Sequence, residues 1–377
     1  MARRIGSDMS AVKMNHFASE PDALVKAQLA ACERVIRSGW WILGQEVAAF
    51  EKEWAHSAGA SCAVGCGNGL DALEIGLRAL GIGPGDEVVT TPMTAFATVL
   101  AVLRAGAKPV LADIDPNTAM LSPESVRRCI SSRTKAILLV HLYGQIGPVE
   151  ELLALARQSG VHLIEDCAQV HGAVSRGRAV GTFGAFAAWS FYPTKNLGAV
   201  GDAGALTTSR VELAEAARAL RNYGQTVRYR HPLLGMNSRL DELQAAILRE
   251  RLPFLGQWTI RRREVARRYA AGIDHPGVRA LPLPDDPNRH VHHLFVVTCA
   301  QRDALHQHLK ENQIESLIHY PIPIHLQSPC SHLDRDPAGL RLAENHALTC
   351  LSLPCHPGLT DQMVDRVVDV VNRFRAT

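Results

Sequence analysis

Apolar and polar positions along the chain first recur with a helical spacing. Pro21 to Arg37 and "QEVAAFEKEWAHSAG" (Gln45 to Gly59) both read as helices with one apolar face. An alternation then begins. "SCAVGCGNG" is a short strand entering a glycine turn, and "LDALEIGLRALG" is a helix. Strand-like "DEVVTTP", "KPVLADI", "TKAILLVHLYG" and "VHLIEDC" are separated by helix-like "TAFATVLAVLRAG", "SPESVRRCIS" and "PVEELLALARQSG". Such alternation predicts crossover units and an α/β fold: a mostly parallel sheet with helices on both faces. "AFAAWSF" and "GALTTS" read as two more strands, followed by helices from Val211 to Asn222 and from Ser238 to about Leu252.

Pro253 marks a boundary. A long helix, Gln257 to Ala271, leads into the proline-rich "HPGVRALPLPDDPNRH". The tail then reads strand "HLFVVT", helix "RDALHQHLKENQ", loop "HYPIPIHLQSP", and helices "GLRLAENHALTC" and "TDQMVDRVVDVVNRF". The expected division is a loose terminus at 1–14, a large domain at 15–254 and a smaller C-terminal α/β domain at 255–377. No apolar run is long enough to span a bilayer, and the start lacks the apolar stretch of a signal peptide. These features predict a cytoplasmic protein without a membrane partner.

Composition adds little to this pattern. With 47% apolar residues the chain is globular in character, and a net charge of +3 implies no nucleic-acid partner. The basic run Arg261 to Arg263, Arg267 and Arg268 is expected as a solvated or interface face. Nine cysteines without a CxxC imply reduced thiols. The "HVHH" at His290 to His293 is expected as solvent-facing or packed histidines, with no metal site.

The chemistry should lie beyond the carboxyl ends of the strands. "GCGNGLDAL" puts glycines before a helix N-terminus, which serves either as a plain turn or as an anion site. Asp166 ends a buried strand in "IEDCAQVHG", with Gln169 and His171 following. Its carboxylate can cap the next turn or pair with a cationic ring nitrogen. In "SFYPTKNLGAVGDAG" stands Lys195, the one cation between Ala179 and Ser209. It either snorkels to water or is desolvated into a nucleophile. A phosphate cradle, a strand-end carboxylate and an isolated lysine at one sheet edge match the needs of pyridoxal 5'-phosphate.

Seven ordered motifs carry a resemblance: "GNGLDALEIGLRALGIGPGDEV", "HLYGQIGPVEEL", "IEDCAQVHGA", "SFYPTKNLGAVGDAG", "RNYGQ", "NSRLDELQAAIL" and "HYPIPIHLQ". The chain resembles the sugar aminotransferases of the DegT/DnrJ/EryC1/StrS family from about Pro21 onward. The resemblance implies a pyridoxal-phosphate-dependent, aspartate-aminotransferase-like (type I) fold and a homodimer with composite active sites. It implies that Lys195 bonds covalently to the cofactor and shuttles protons, and that Asp166 pairs with the ring nitrogen. Gln169 would bond the ring hydroxyl, Phe96 would stack on the ring, and Ser190 with the N–H groups of Leu70 and Asp71 would hold the phosphate. Asn237 would reach that phosphate from the partner subunit. Tyr223, Arg239, His319, Tyr320 and His325 would lie near the substrate mouth. Trp40 and Trp41 would either touch substrate or pack in the core. Thr194, Ala203 and Leu70 depart from residues common in the family, which bears on cofactor geometry.

The implied reaction moves an amino group from L-glutamate to a nucleotide-linked keto-sugar. Alternatives are an inosose (aminocyclitol) aminotransferase and a non-catalytic regulator that binds the cofactor. A nicotinamide oxidoreductase is suggested only by "GCGNG". The related dehydratases carry histidine where this chain has Lys195.

Overall fold

A computed structural model describes residues 11–375. Its centre is an eight-stranded sheet in the spatial order Cys62–Cys66, Gly204–Thr208, Ala187–Ser190, His162–Asp166, Thr134–Val140, Glu87–Thr90, Lys108–Leu111 and Asp334–Arg335. Only Gly204–Thr208 runs antiparallel to its neighbours. Period-two alternation splits the apolar residues between two cores. Ile137 and Leu139 face one with Phe50 and Trp54 of the helix Gln45–Ser57. Ala136, Leu138 and Val140 face the other with Leu73 and Leu77 of the helix Gly69–Ala79. The expected α/β sandwich of helices on a mostly parallel sheet is therefore the observed one.

A second, antiparallel sheet of Val278–Ala280, Phe295–Cys299 and Cys350–Leu353 packs with the helices Leu255–Gly272, Arg302–Glu311 and Asp361–Asn372. Cys350–Leu353 and Val278–Ala280 were not legible as strands. The first is buried on both sides and shows no alternation, and the second lies in the proline-rich stretch. The chain beyond Leu255 also returns to the large sheet. Asp334–Arg335 pairs with Lys108–Leu111, and Ile324, Cys330 and Leu333 pack against Val99 and Leu111.

Two expectations need correction. Of the terminus expected to be loose, residues 1–10 lie outside the described chain. Val12, however, bridges to Ile314 and is fully buried in the core of the second sheet. The basic run is solvated only in part: Arg267 is exposed and Arg268 pairs with Asp361 and Asp365 at the surface, but Arg262 turns inward. Arg262 is buried, and its Nη1 donates to the carbonyls of His292 (3.2 Å), His293 (3.4 Å) and Cys355. Arg263 donates to the carbonyl of His290 at 2.9 Å. Arginine run and histidine run thus pack on each other, and the histidines are buried. No helix of the described residues is long and apolar enough to cross a membrane.

Candidate active site

Sheet register builds one wall of the site. Gly204 pairs with Ser190 on one side and Cys66 on the other, so the turn after Cys66 stands beside Ser190. Absent side chains let them meet. A Cβ on Gly204 would lie 2.4 Å from the carbonyl oxygen of Asn68, and one on Gly69 would lie 2.8 Å from Cβ of Ser190. Asn68 caps the helix Gly69–Ala79 by accepting the N–H of Asp71 at 2.8 Å. Of the two amides expected to face an anion, that of Asp71 is therefore already used. The open first-turn donors belong to Gly69 and Leu70, next to Ser190. The Asp71 carboxylate braces the turn, accepting from Asn68 Nδ2 (3.1 Å) and from Ser238 Oγ (2.7 Å). Ser238 Oγ itself accepts the N–H of Gly67 at 3.0 Å.

Asp166, at the end of its strand, is buried. One oxygen caps the following turn, accepting the N–H of Ala168 at 3.1 Å. The other accepts the hydroxyl of Thr98 at 2.9 Å, and Thr94 stands 2.7 Å behind Thr98. Because the Thr98 proton goes to Asp166, Thr94 donates to Thr98. Burial pushes the Asp166 carboxyl above the ordinary range, opposed by the Ala168 and Thr98 bonds and the charge of Lys195. Burial drives Lys195 the other way, down to about 8, with Asp166 opposing. Lys195 is half-buried, and the lost hydration that lowers its pKa sets it apart from a lysine snorkelling into bulk water. Its loop is fixed: the Lys195 N–H bonds to the Tyr192 carbonyl at 2.8 Å, and Asn196 bonds Val291 at 3.0 Å and His293 at 3.2 Å. A cavity of about 530 Å³ adjoins Lys195, bounded by Pro193, Trp258, Arg262 and His356. It shares no residue of the turn at Asn68–Leu70.

Gln169 lies beside Asp166 in the same turn. Its Oε1 accepts the N–H of Tyr143 at 2.6 Å, and its Nε2 donates to the Tyr320 hydroxyl at 3.2 Å. His319 bonds Ser352 at 2.9 Å, and burial with the nearby Lys195 charge pushes it down to about 4. His171 sits among Trp54, Trp189 and Phe191 and is pushed down to about 3 by burial. His319 and His171 are thus neutral neighbours of the lysine. Phe96 is exposed at the start of the helix that carries Thr98.

Other expected residues stand elsewhere. His325 is buried; its Nε2 bonds Glu344 at 2.9 Å, and its Nδ1 has no hydrogen-bond partner among the described residues. Tyr223 is exposed, with the Arg239 guanidinium 5.3 Å from its ring centre. Asn237 is also exposed, next to Ser238 of the braced turn. Trp40 and Trp41 are 63% and 48% exposed, which excludes the core-packing reading. Their segment is tied down by Glu242, whose carboxylate accepts the N–H groups of Gly44, Glu46 and Val47 at 2.8 to 2.9 Å.

Sequence reading missed Thr98, Tyr143, Asn68 and Ser238. Asn68 was findable as a capping residue before an apolar helix. Thr98 lies within the quoted "TAFAT", two residues after Phe96. Nothing local marks Ser238, which meets Asp71 only through the fold.

The residues present suit pyridoxal 5'-phosphate. The tight glycine turn leaves donors for a phosphate, the buried carboxylate suits a protonated ring nitrogen, and the desolvated amine suits an aldehyde. Comparison with known proteins agrees. A family model described as the DegT/DnrJ/EryC1/StrS aminotransferase family matches residues 22–372. A dTDP-3-amino-3,6-dideoxy-alpha-D-galactopyranose transaminase of Aneurinibacillus thermoaerophilus is 46% identical over 344 residues, 91% of this chain and 94% of its own. A pleiotropic regulatory protein of Geobacillus stearothermophilus is 41% identical over 365 residues, 96% of this chain and 98% of its own. The crystal structure of S. venezuelae DesV in complex with a ketimine intermediate superposes with a TM-score of 0.92 at 43% identity, covering 96% of this chain and 98% of that one. With the motifs in order and the match running almost end to end, the chain belongs to the DegT/DnrJ/EryC1/StrS aminotransferase family.

Proposed function

We propose that this chain is an aminotransferase that uses pyridoxal 5'-phosphate to move nitrogen from L-glutamate to a nucleotide-linked keto-sugar. The observation that carries the reading is the placement of Lys195, between paired Ser190 and Gly204, at the same sheet edge as Asp166 and the glycine turn; burial there lowers its pKa to about 8. When bound, the cofactor supplies a cationic ring that withdraws electrons from the carbon bearing the nitrogen. The chain's own residues do the rest. The N–H groups of Gly69 and Leu70, with the Ser190 hydroxyl, hold the phosphate. Asp166 keeps the ring nitrogen protonated, Gln169 bonds the ring hydroxyl, and Phe96 lies on the ring face. Lys195 Nζ holds the cofactor covalently; once released, it takes the α-proton of glutamate and later delivers a proton to the sugar carbon that receives nitrogen.

A second copy of the chain completes the site in this reading. Asn237 would reach the phosphate of the neighbouring protomer, and Tyr223 and Arg239 would border its substrate mouth. Their exposure, and that of Trp40 and Trp41, supports a covered face of this kind. His319 and Tyr320 approach the substrate from within the protomer. Nucleotide sugars are intracellular metabolites, which supports a cytoplasmic site of action.

The test is to load purified protein with the cofactor, add L-glutamate and a panel of dTDP- and UDP-linked keto-sugars, and measure 2-oxoglutarate. Parallel-line kinetics and loss of turnover in Lys195→Ala are expected. Release with no sugar but with an unphosphorylated inosose would replace the acceptor. No release with any acceptor would overturn the reading.

A further inference from the structure

The loop after the strand Thr134–Val140 holds a tyrosine in a costly conformation. Tyr143 stands at φ +61° and is fully enclosed. Side chains rarely adopt this region, so the surroundings must hold it there. Four contacts do so. Its N–H donates to Gln169 Oε1 at 2.6 Å, and its carbonyl accepts the N–H of Leu294 at 3.1 Å. Its hydroxyl donates to the carbonyl of His319 and lies 2.9 Å from His346 Nε2. Since the one hydroxyl proton goes to His319, His346 donates from Nε2. Burial holds that imidazole neutral by pushing it down to about 4.

These bonds close a ring. Tyr143 grips Gln169 with its backbone and the carbonyl of His319 with its side chain. The residue after His319 is Tyr320, whose hydroxyl oxygen takes the N–H of Gln169 at 3.2 Å. The ring has a polarity. The Gln169 oxygen is occupied, so its amide cannot flip, and its NH2 is turned to Tyr320. One N–H goes to Tyr320, and an amide N–H has no lone pair to receive the tyrosine proton. The second N–H of Gln169 and the O–H of Tyr320 are both left as donors.

We propose that Tyr143 is a positioning residue that fixes Gln169 and Tyr320 as one-way hydrogen-bond donors toward an oxyanion of the bound ligand. The inference rests on the cofactor reading above. Donors aimed at an oxygen favour its ionised form, so the ring acts on the ionisation of the bound chromophore as well as on affinity.

The experiment uses the full chain and pyridoxamine 5'-phosphate as the probe. Dissociation constants are measured for wild type, Tyr143→Phe, Tyr320→Phe and the double variant, with thermal unfolding to confirm folding. Tyr143→Phe keeps the backbone N–H and the ring and loses only the hydroxyl contacts. The two substitutions are expected to be coupled by about threefold or more, the double variant losing less than the product of the singles. In the pyridoxal-phosphate-loaded protein, Tyr143→Phe should raise the pKa of the visible absorbance by about half a unit or more. Gln169→Glu, which cannot donate, should shift it further in the same direction. Independent effects, or an unmoved absorbance titration in folded Tyr143→Phe, would overturn the inference while leaving the proposed function standing. A wild type that takes up neither form of the cofactor would overturn both.

Discussion

Thr98 donates its hydroxyl proton to Oδ2 of Asp166 at 2.9 Å, from a helix that starts after a different strand. The contact bears on how Asp166 stays charged. Burial drives the carboxyl pKa up, and the threonine opposes it. Removing the hydroxyl in Thr98→Val raises that pKa further and shrinks the anionic fraction, most of all at acidic pH. A hydrogen bond to a charged group contributes about 1.5–3 kcal/mol, so cofactor affinity should fall about ten- to hundredfold. Equilibrium titration across pH checks this; Thr98→Ser should restore binding, and a pH-independent loss would contradict the assignment.

Lys195 carries a pKa shift of opposite sign. Its folded pKa of about 8 lies below the ordinary 10.5, so between these values the unfolded chain binds a proton that the folded chain does not. Stability of the cofactor-free protein therefore rises with pH through that window. Lys195→Met removes the penalty: the variant should exceed wild type below pH 8, and the gap should close toward pH 10.5. Chemical denaturation at several pH values reads this directly. The rate at which cofactor-free wild type captures pyridoxal 5'-phosphate should rise through the same inflection near 8.

The glycine turn should be specific for phosphate. In Gly69→Ala the new Cβ would stand 2.8 Å from Cβ of Ser190, forcing the helix start away from it. Overpacking of this kind costs about 1–3 kcal/mol. Affinity for pyridoxal 5'-phosphate should fall about tenfold or more, whereas affinity for unphosphorylated pyridoxal should hardly change. Equal losses for both ligands would mean that the turn does not hold the phosphate.

Glu165 and Asp166 are neighbours in sequence with opposite duties. Glu165 is fully buried on the other face of the strand. It accepts the N–H groups of Gly181 (2.9 Å), Phe183 and Gly184 (both 2.8 Å) and lies 3.1 Å from His141. Glu165→Gln sets an NH2 against these donors and should cost about 3 kcal/mol of stability. The unfolding midpoint should drop while the absorbance of the bound cofactor keeps its wild-type position.

The two carboxylates show what a sequence reveals and what it withholds. Asp166 and Lys195 stood out as candidates because each interrupts an apolar stretch with a charge, and the strand–helix alternation assigned both, with the glycine turn, to one sheet edge; the role of Gln169 came only with the family resemblance. The alternation also predicted the large sheet, since its buried crossover strands are short apolar runs separated by helices. Asp334–Arg335 escaped because two polar residues make a strand only when Lys108–Leu111 offers an unpaired edge. Buried Arg262 escaped for a similar reason: charge alone reads as solvated until carbonyls from another segment surround it. Ser238 and Tyr143 were invisible because their roles depend on contacts with residues distant along the chain.

The reversed strand Gly204–Thr208 has a consequence for how such a catalyst can change over evolutionary time. Ser190 and Gly204 are paired, so the segment bearing Lys195 leaves the sheet and returns to it at one point. Its placement is set by an excursion anchored at both ends and owes little to the length of the outer helices. An inserted residue between Ser190 and Gly204 would therefore misaim the amine directly, whereas a change at the far end of an outer helix would leave that excursion in place.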